Sequence, residues 1–187
     1  WYIIRVNDKF SKGLYCLCLF SMIVPFQMVM FTLSKLSNML HLGNPVGIIL
    51  VYLGFGAGLA VFMFTGFVKS IPLEIEEAAM IDGCSPIQTY FQVVFPILKP
   101  TAITVAILQV MWIWNDYLLP LLVIGNKTGS KTLTLELYFA KLTSGQYGNP
   151  WELIFPAVFV TIIPIIILYI FLQKYIVAGV SEGAVKM

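Results

Sequence analysis

Charge is what this chain has least of. Only 11% of its 187 residues are charged, against roughly 25% in a soluble globular domain. Hydrophobic residues make up 59%, and the mean hydropathy is +0.91. A chain this short cannot hide so much apolar surface in a core of its own, so lipid is the solvent it is built for. Eleven basic and nine acidic residues leave a net charge of +2, too little to recruit nucleic acid. Three cysteines form no disulfide framework. Cys16 and Cys18 are two apart and would point to different faces of a helix. The one histidine, His41, has no metal-binding partner, so no metal site is expected. There is no H-E-x-x-H and no G-x-x-x-x-G-K-[ST], and hence no expected catalytic residue. A membrane-embedded enzyme would need paired acids or a nucleophile with its base, and only Asp116 falls near membrane depth. Nothing at the start resembles a signal peptide. Position 1 is Trp, and "WYII" ahead of "RVNDK" reads as the end of an earlier span, so sequence before residue 1 is expected. Internal repeats and low-complexity segments are absent.

What the chain does have is four apolar runs, at 14–33, 46–66, about 101–124 and 153–172. Each meets the roughly 20 residues a helix needs to cross a bilayer. Helices are expected because backbone groups in lipid must be satisfied internally. A β-barrel would need short alternating strands, and these runs are continuously apolar. Pro25, Pro120, Pro156 and Pro164 lie inside them and mark kinks. The expected fold is therefore an all-α, polytopic transmembrane helical bundle, a single domain over 1–187. With four spans, both ends and the connection 67–100 share one side. Seven of the eleven basic residues fall there, namely Arg5, Lys9, Lys12, Lys69, Lys99, Lys174 and Lys186. The excess puts that side, and the C-terminus, in the cytoplasm.

The connection 67–100 is too polar to span and reads as two short helices. Pro72 suits a first helical turn, and Glu74, Glu76 and Glu77 favour its positive end. Gly83 is placed to end that helix in a left-handed conformation. Ser85 and Pro86 cap and start the next helix, and Pro96 and Pro100 lead back to the membrane. An ordinary solvated loop would not need Ala78, Ala79, Met80 and Ile81. A small-residue surface with an acidic rim suits insertion into a protein groove.

Here a resemblance enters. "EAAMIDGCSPIQTYFQVVFP" resembles the signature of ABC importer permeases: E-A-A, three residues, Gly, nine residues, Ile, one residue, Leu-Pro. Glu77-Ala78-Ala79 is followed by Gly83, then by Val93, Phe95 and Pro96, with Val93 and Phe95 in place of Ile and Leu. "GFVKSIPLEIEEAAMIDG", "WNDYLLPLL" and "VSEGAVKM" are similar to the sugar-importer permeases, on the side of the maltose-type subunit with the short periplasmic region. The resemblance covers nearly the whole chain. It implies a family of six spans, of which this chain would hold the last four and the end of the second. It also implies that the elbow docks in a cleft on a cytoplasmic ATPase, through Glu77, Ala78, Ala79, Asp82 and Gly83, with Glu74 and Glu76 read as solvated rivals for that role; Gln88 is read as a solvated loop residue. The implied partners are a second permease, two ATPase subunits, an extracytoplasmic solute-binding protein and membrane lipid, in a bacterial cell membrane. ATP and Mg would be bound by the ATPase, and no cofactor by this chain. Permeases for non-sugar solutes share the elbow, so the solute class stays open.

The remaining candidates carry weaker signals. Gly54 and Gly58 form a G-x-x-x-G step, read as helix packing. Asn115 and Asp116 stand in or at the edge of the third run. They either line the pathway or cap a broken helix before Pro120. Trp112 and Trp114 are either interfacial belt residues or platforms for a sugar ring. Residues 125–150 read as an irregular, exposed outer loop. The resemblance makes Thr143, Ser144, Gly145, Gln146 and Tyr147 its candidate contacts with the binding protein.

Overall fold

The computed structural model describes residues 1–6, 8–125, 129, 131–144 and 151–184. The described residues contain helices and no strand. In chain order the helices are α1 (Tyr2–Arg5), α2 (Lys9–Ile23), α3 (Phe26–Met39), α4 (Pro45–Ser70), α5 (Leu73–Ile81) and α6 (Pro86–Thr89). A π turn (Tyr90–Val94) follows, then α7 (Phe95–Ile97), α8 (Lys99–Asn115), α9 (Leu118–Val123), α10 (Leu133–Ser144) and α11 (Trp151–Ala184).

Local chemistry sets most of these boundaries. The Asp8 carboxylate accepts the Ser11 N–H at 2.7 Å and starts α2. Pro25 separates α2 from α3; it has no N–H to give and drives the residue before it out of the helical region. The Asn44 side chain accepts the N–H groups of Val46 and Gly47 at 3.1 and 2.8 Å, with Pro45 in the first helical position. A side chain at Gly47 would collide with the backbone of Leu42, so this glycine lets the chain fold tightly into α4. The π turn ends two residues before Pro96. Proline cannot bond the carbonyl four residues back and its ring crowds that carbonyl; the wider turn accommodates both effects.

Two helices, α4 and residues Ile154–Gln173 of α11, are each long and apolar enough to cross a membrane. Two bent pairs raise the number to as many as four if each pair is one span: α2 with α3, and Pro86–Ile97 with α8. The runs 14–33 and 101–124 are thus not single helices. The first is divided at Pro25, and the second at Asp116–Tyr117, between α8 and α9. Pro156 and Pro164 lie inside α11 without dividing it.

The chain forms two compact units. Trp1–Ile23, Phe55–Leu108 and Lys174–Met187 make up one; Val24–Gly54 and Gln109–Gln173 make up the other. In the first, Val68, Ile71, Val94 and Leu98 form a buried apolar cluster. Trp1, Ile4, Phe64, Phe67 and Tyr90 pack around it. Gly58 allows close helix contact: a Cβ there would lie 2.8 Å from Ser21 Oγ and 2.9 Å from the Cys18 carbonyl. A Cβ at Gly54 would meet nothing within 4 Å, so only Gly58 of the G-x-x-x-G step carries a close contact here.

In the second unit α3 packs on α9, and Ser34 Oγ donates to the Leu122 carbonyl at 3.0 Å. Trp114 Nε1 donates to the Thr161 carbonyl at 3.2 Å. Trp114 therefore ties α8 to α11 through its indole N–H. The reading of 125–150 as irregular is also corrected. Helix α10 occupies its middle, started by Thr132, whose Oγ1 accepts the Leu135 N–H at 3.3 Å, and anchored by the buried Leu135. One buried leucine and one cap outweigh the flanking glycines and polar residues that dominated the composition.

Candidate functional site

The corner of the elbow 67–100 is built from two helix termini. Helix α5 begins after Pro72, which is the capping residue and not part of the first turn as its sequence position had implied. At its far end the Gly83 N–H bonds the Met80 carbonyl and the Cys84 N–H bonds the Ala79 carbonyl, each at 3.0 Å. This paired pattern is the Schellman motif, which requires a left-handed residue after the helix. Gly83 supplies it with φ +92°. A Cβ at Gly83 would meet nothing within 4 Å, so the requirement for glycine is conformational and not steric.

Two residues later Ser85 caps α6, with Pro86 at the first position. The Ser85 N–H donates to Gln88 Oε1 at 2.8 Å, and the Gln88 N–H reaches Ser85 Oγ at 3.4 Å. Gln88 is thus half of a capping box, not a merely solvated residue. The S-x-x-Q spacing in "SPIQ" was the available signal.

The two helices present a mixed surface. Glu77, Ala78, Asp82 and Gly83 are exposed, and Ala79 is half-buried. Large apolar groups stand beside them: Ile81 is 85% exposed, Ile87 72% and Phe91 62%. Five predicted contact residues thus lie in one seven-residue stretch, 77–83, at a glycine-fixed corner, flanked by apolar groups that no described residue covers.

Glu76 behaves otherwise. It had been read as solvated, yet it is only 1% exposed. Its Oε1 accepts from Arg5 Nη2 at 2.6 Å and Nε at 2.9 Å, and its Oε2 accepts from Trp1 Nε1 at 2.8 Å. The signal that could have found the pair was the single arginine closing "WYIIR". An isolated charge beside apolar residues needs a partner, because an unpaired buried charge is costly.

Asn115 and Asp116 lie where α8 gives way to α9. Asp116 Oδ1 accepts the N–H groups of Leu118 and Leu119 at 3.0 and 3.3 Å. Oδ2 accepts from Tyr52 Oη at 3.1 Å, and the Asp116 carbonyl accepts from Thr134 Oγ1 at 2.8 Å. The carboxylate caps a broken helix, as one of its two readings held. Asn115 Nδ2 donates to the Met111 carbonyl at 2.7 Å, and the side chain is exposed. Trp112 is partly exposed and meets Tyr52 edge-on at 5.6 Å. Thr143 and Ser144 stand at the end of α10, while Gly145, Gln146 and Tyr147 lie outside the described residues. Among the described residues no group of three or more His, Cys, Asp or Glu could hold a metal ion.

The comparisons with known proteins agree closely. The model of the binding-protein-dependent transport system inner membrane component family matches residues 3–182. The chain is 42% identical over 182 residues to the probable starch degradation products transport system permease protein AmyC of Thermoanaerobacterium thermosulfurigenes, covering 97% of this chain and 65% of that protein. It is 39% identical over 174 residues to the multiple sugar-binding transport system permease protein MsmG of Streptococcus mutans, covering 92% and 62%. It is 33% identical over 185 residues to the melibiose/raffinose/stachyose import permease protein MelC of Bacillus subtilis, covering 97% and 65%. The chain therefore spans just under two thirds of the length of these relatives. With a family match across almost its full length and helices apolar enough to cross a bilayer more than once, the chain is a multi-pass membrane protein belonging to the inner membrane components of binding-protein-dependent transport systems.

Proposed function

We propose that this chain is the permease domain of an ATP-driven importer for a sugar or oligosaccharide. It forms the pathway with a second permease, and the elbow 67–100 engages the cytoplasmic ATPase. The observation that carries the reading is the elbow surface. Ile81, Ile87 and Phe91 are bared beside Glu77, Ala78, Asp82 and Gly83 on a corner held by two capping motifs. A rigid, mixed apolar and acidic corner suits a fitted protein contact, and a lever of this kind can couple two packed states. The three relatives described above are named as sugar or starch-product systems, which favours a carbohydrate solute.

On this reading two ATPase subunits hold ATP and Mg, this chain binds no cofactor, and a solute-binding protein docks on the outer side near 143–147. The C-terminus and the elbow share the cytoplasmic side. Of the two roles considered for Asp116, the cap has the direct geometric support. Asn115, exposed beside it, remains the candidate for the pathway.

The test is purification of the assembled transporter in mild detergent, with uptake of labelled maltodextrins and raffinose-type sugars into cells. The ATPase and a second permease are expected to co-purify, and uptake to require ATP and the binding protein. Transport by the permease without an ATPase would refute the importer reading. ATP-dependent uptake of a non-sugar solute alone would refute only the solute class.

A further inference from the structure

The ion pair behind the elbow joins three elements at one guanidinium. Arg5 lies at the end of α1. Its Nη2 donates to the carbonyls of Ile71 at 3.0 Å and Val68 at 3.4 Å, groups at the C-terminal end of α4. Val68 stands in the last turn of α4, where its carbonyl also accepts the Ile71 N–H at 3.2 Å, and Ile71 is the residue just past that helix, so both carbonyls lie at its partial negative end. The same Nη2 and Nε hold Glu76 Oε1 in the first turns of α5. Between α4 and α5 lie only Ile71 and Pro72, a corner that could otherwise flex about the Ile71 backbone. Trp1 Nε1 holds the second carboxylate oxygen, and the Trp1 ring packs 5.6 Å from Tyr90 in the π turn. The node therefore reaches from the last turn of the membrane-length helix α4 to both arms of the elbow.

We infer that Arg5 and Glu76 are positioning residues that lock the α4–α5 corner, so that displacement of the elbow moves the end of α4 and is not absorbed at Ile71–Pro72. The inference rests on the reading of the elbow as the ATPase contact. A fork-shaped guanidinium suits the role because one group can bond a carboxylate twice and still reach the helix-end carbonyls. Lysine offers a single charged point on a flexible stem and cannot fix the angle. The carboxylate is buried, so water does not substitute for either partner. Neither residue touches the exposed face, so their loss should spare docking and affect what docking achieves.

The experiment compares three variants in the assembled transporter: Arg5→Gln with Glu76→Gln, Arg5→Lys alone, and Gly83→Pro. The double variant removes both charges together, so no lone charge is left buried. The readout is solute imported per ATP hydrolysed in proteoliposomes with the liganded binding protein. Amounts are normalised to assembled complex. The double variant is expected to retain its ATPase subunits while the ratio falls at least fivefold; Arg5→Lys should fall in between. A merely structural role would lower the amount of complex and leave the ratio unchanged, and that result overturns the inference. Should the double variant fail to assemble, Arg5→Lys decides: a wild-type ratio overturns the inference. Gly83→Pro separates the two levels of the argument. If it binds the ATPase and transports normally, the docking reading itself fails and takes the inference with it. If it uncouples while the Arg5 and Glu76 variants keep the wild-type ratio, the lock alone is wrong.

Discussion

Substitution at Gly83 gives a graded series whose order follows from the backbone alone. Its φ of +92° lies where L side chains are strained, and no neighbouring atom approaches within 4 Å of a Cβ. Steric collision therefore contributes nothing, and the penalty is conformational. For alanine that penalty is about 1–2 kcal/mol, which corresponds to about 5–30-fold in the population of the docking-competent elbow. Asparagine visits the left-handed region more readily and should lose less. Proline is worst on two counts: its φ is fixed near −65°, and it removes the N–H that bonds the Met80 carbonyl at 3.0 Å. The combined cost is about 3 kcal/mol or more. The assay titrates purified ATPase against permease held in nanodiscs and reads the concentration for half-maximal binding, with sugar uptake in cells alongside. The expected order of impairment is Pro, then Ala, then Asn, with membrane insertion unchanged. An alanine variant as tight as wild type, or asparagine as impaired as proline, would refute the claim that this left-handed residue sets the elbow.

Three further outcomes are expected. Ala78→Trp adds bulk on an exposed position of α5 and should weaken ATPase retention without lowering the melting temperature of the permease; full retention would remove Ala78 from the contact. Asp116→Asn keeps an acceptor for the Leu118 and Leu119 N–H groups, whereas Asp116→Ala loses it at about 1 kcal/mol. If the role is capping, thermal stability should fall only for alanine and uptake should survive asparagine; loss of uptake in a stable Asp116→Asn protein would instead assign the charge to the pathway. Shortening 141–148 should weaken stimulation of ATP hydrolysis by the liganded binding protein while leaving basal hydrolysis intact; unchanged stimulation would take this loop out of that contact.

The corner of the elbow was legible because its determinants are local. Gly83, Ser85 and Pro86 act on backbone groups within a few residues, and their identities state the conformation they serve. The S-x-x-Q spacing that puts Gln88 in a capping box is just as local, yet it was passed over for a solvated reading, so Gln88→Ala is no neutral control for elbow variants. The Arg5–Glu76 pair was not legible as a pair, because 71 residues separate the partners and three neighbouring acids offered themselves equally. Only the packing of Trp1 and Tyr90 around Val68 and Val94 decides that Glu76 turns inward and Glu77 outward. Apolar run lengths located membrane segments but not their breaks. Pro25 divides one run while Pro156 and Pro164 are absorbed within α11. A proline removes the same donor at each site, and what differs is whether the surroundings tolerate the bend.

Two kinds of apolar surface are exposed on this chain, and they call for different partners. Phe159, Ile163, Ile166 and Ile170 belong to a stretch of α11 that is long and apolar enough to cross a membrane. Lipid covers such a face without requiring any particular shape. Ile81 and Ile87 sit instead on helices of nine and four residues, beside exposed Glu77 and Asp82 and at a corner with bent backbone. Hydrocarbon would leave those carboxylates and the corner's amide groups unsatisfied, and water would leave the isoleucines bare. A protein surface with an apolar pocket and polar or basic groups around it satisfies both demands at once. This double requirement is the argument for reading the elbow as a fitted protein contact, and it makes a charged substitution at Ile81 more damaging to ATPase retention than the same substitution at Ile166 on α11.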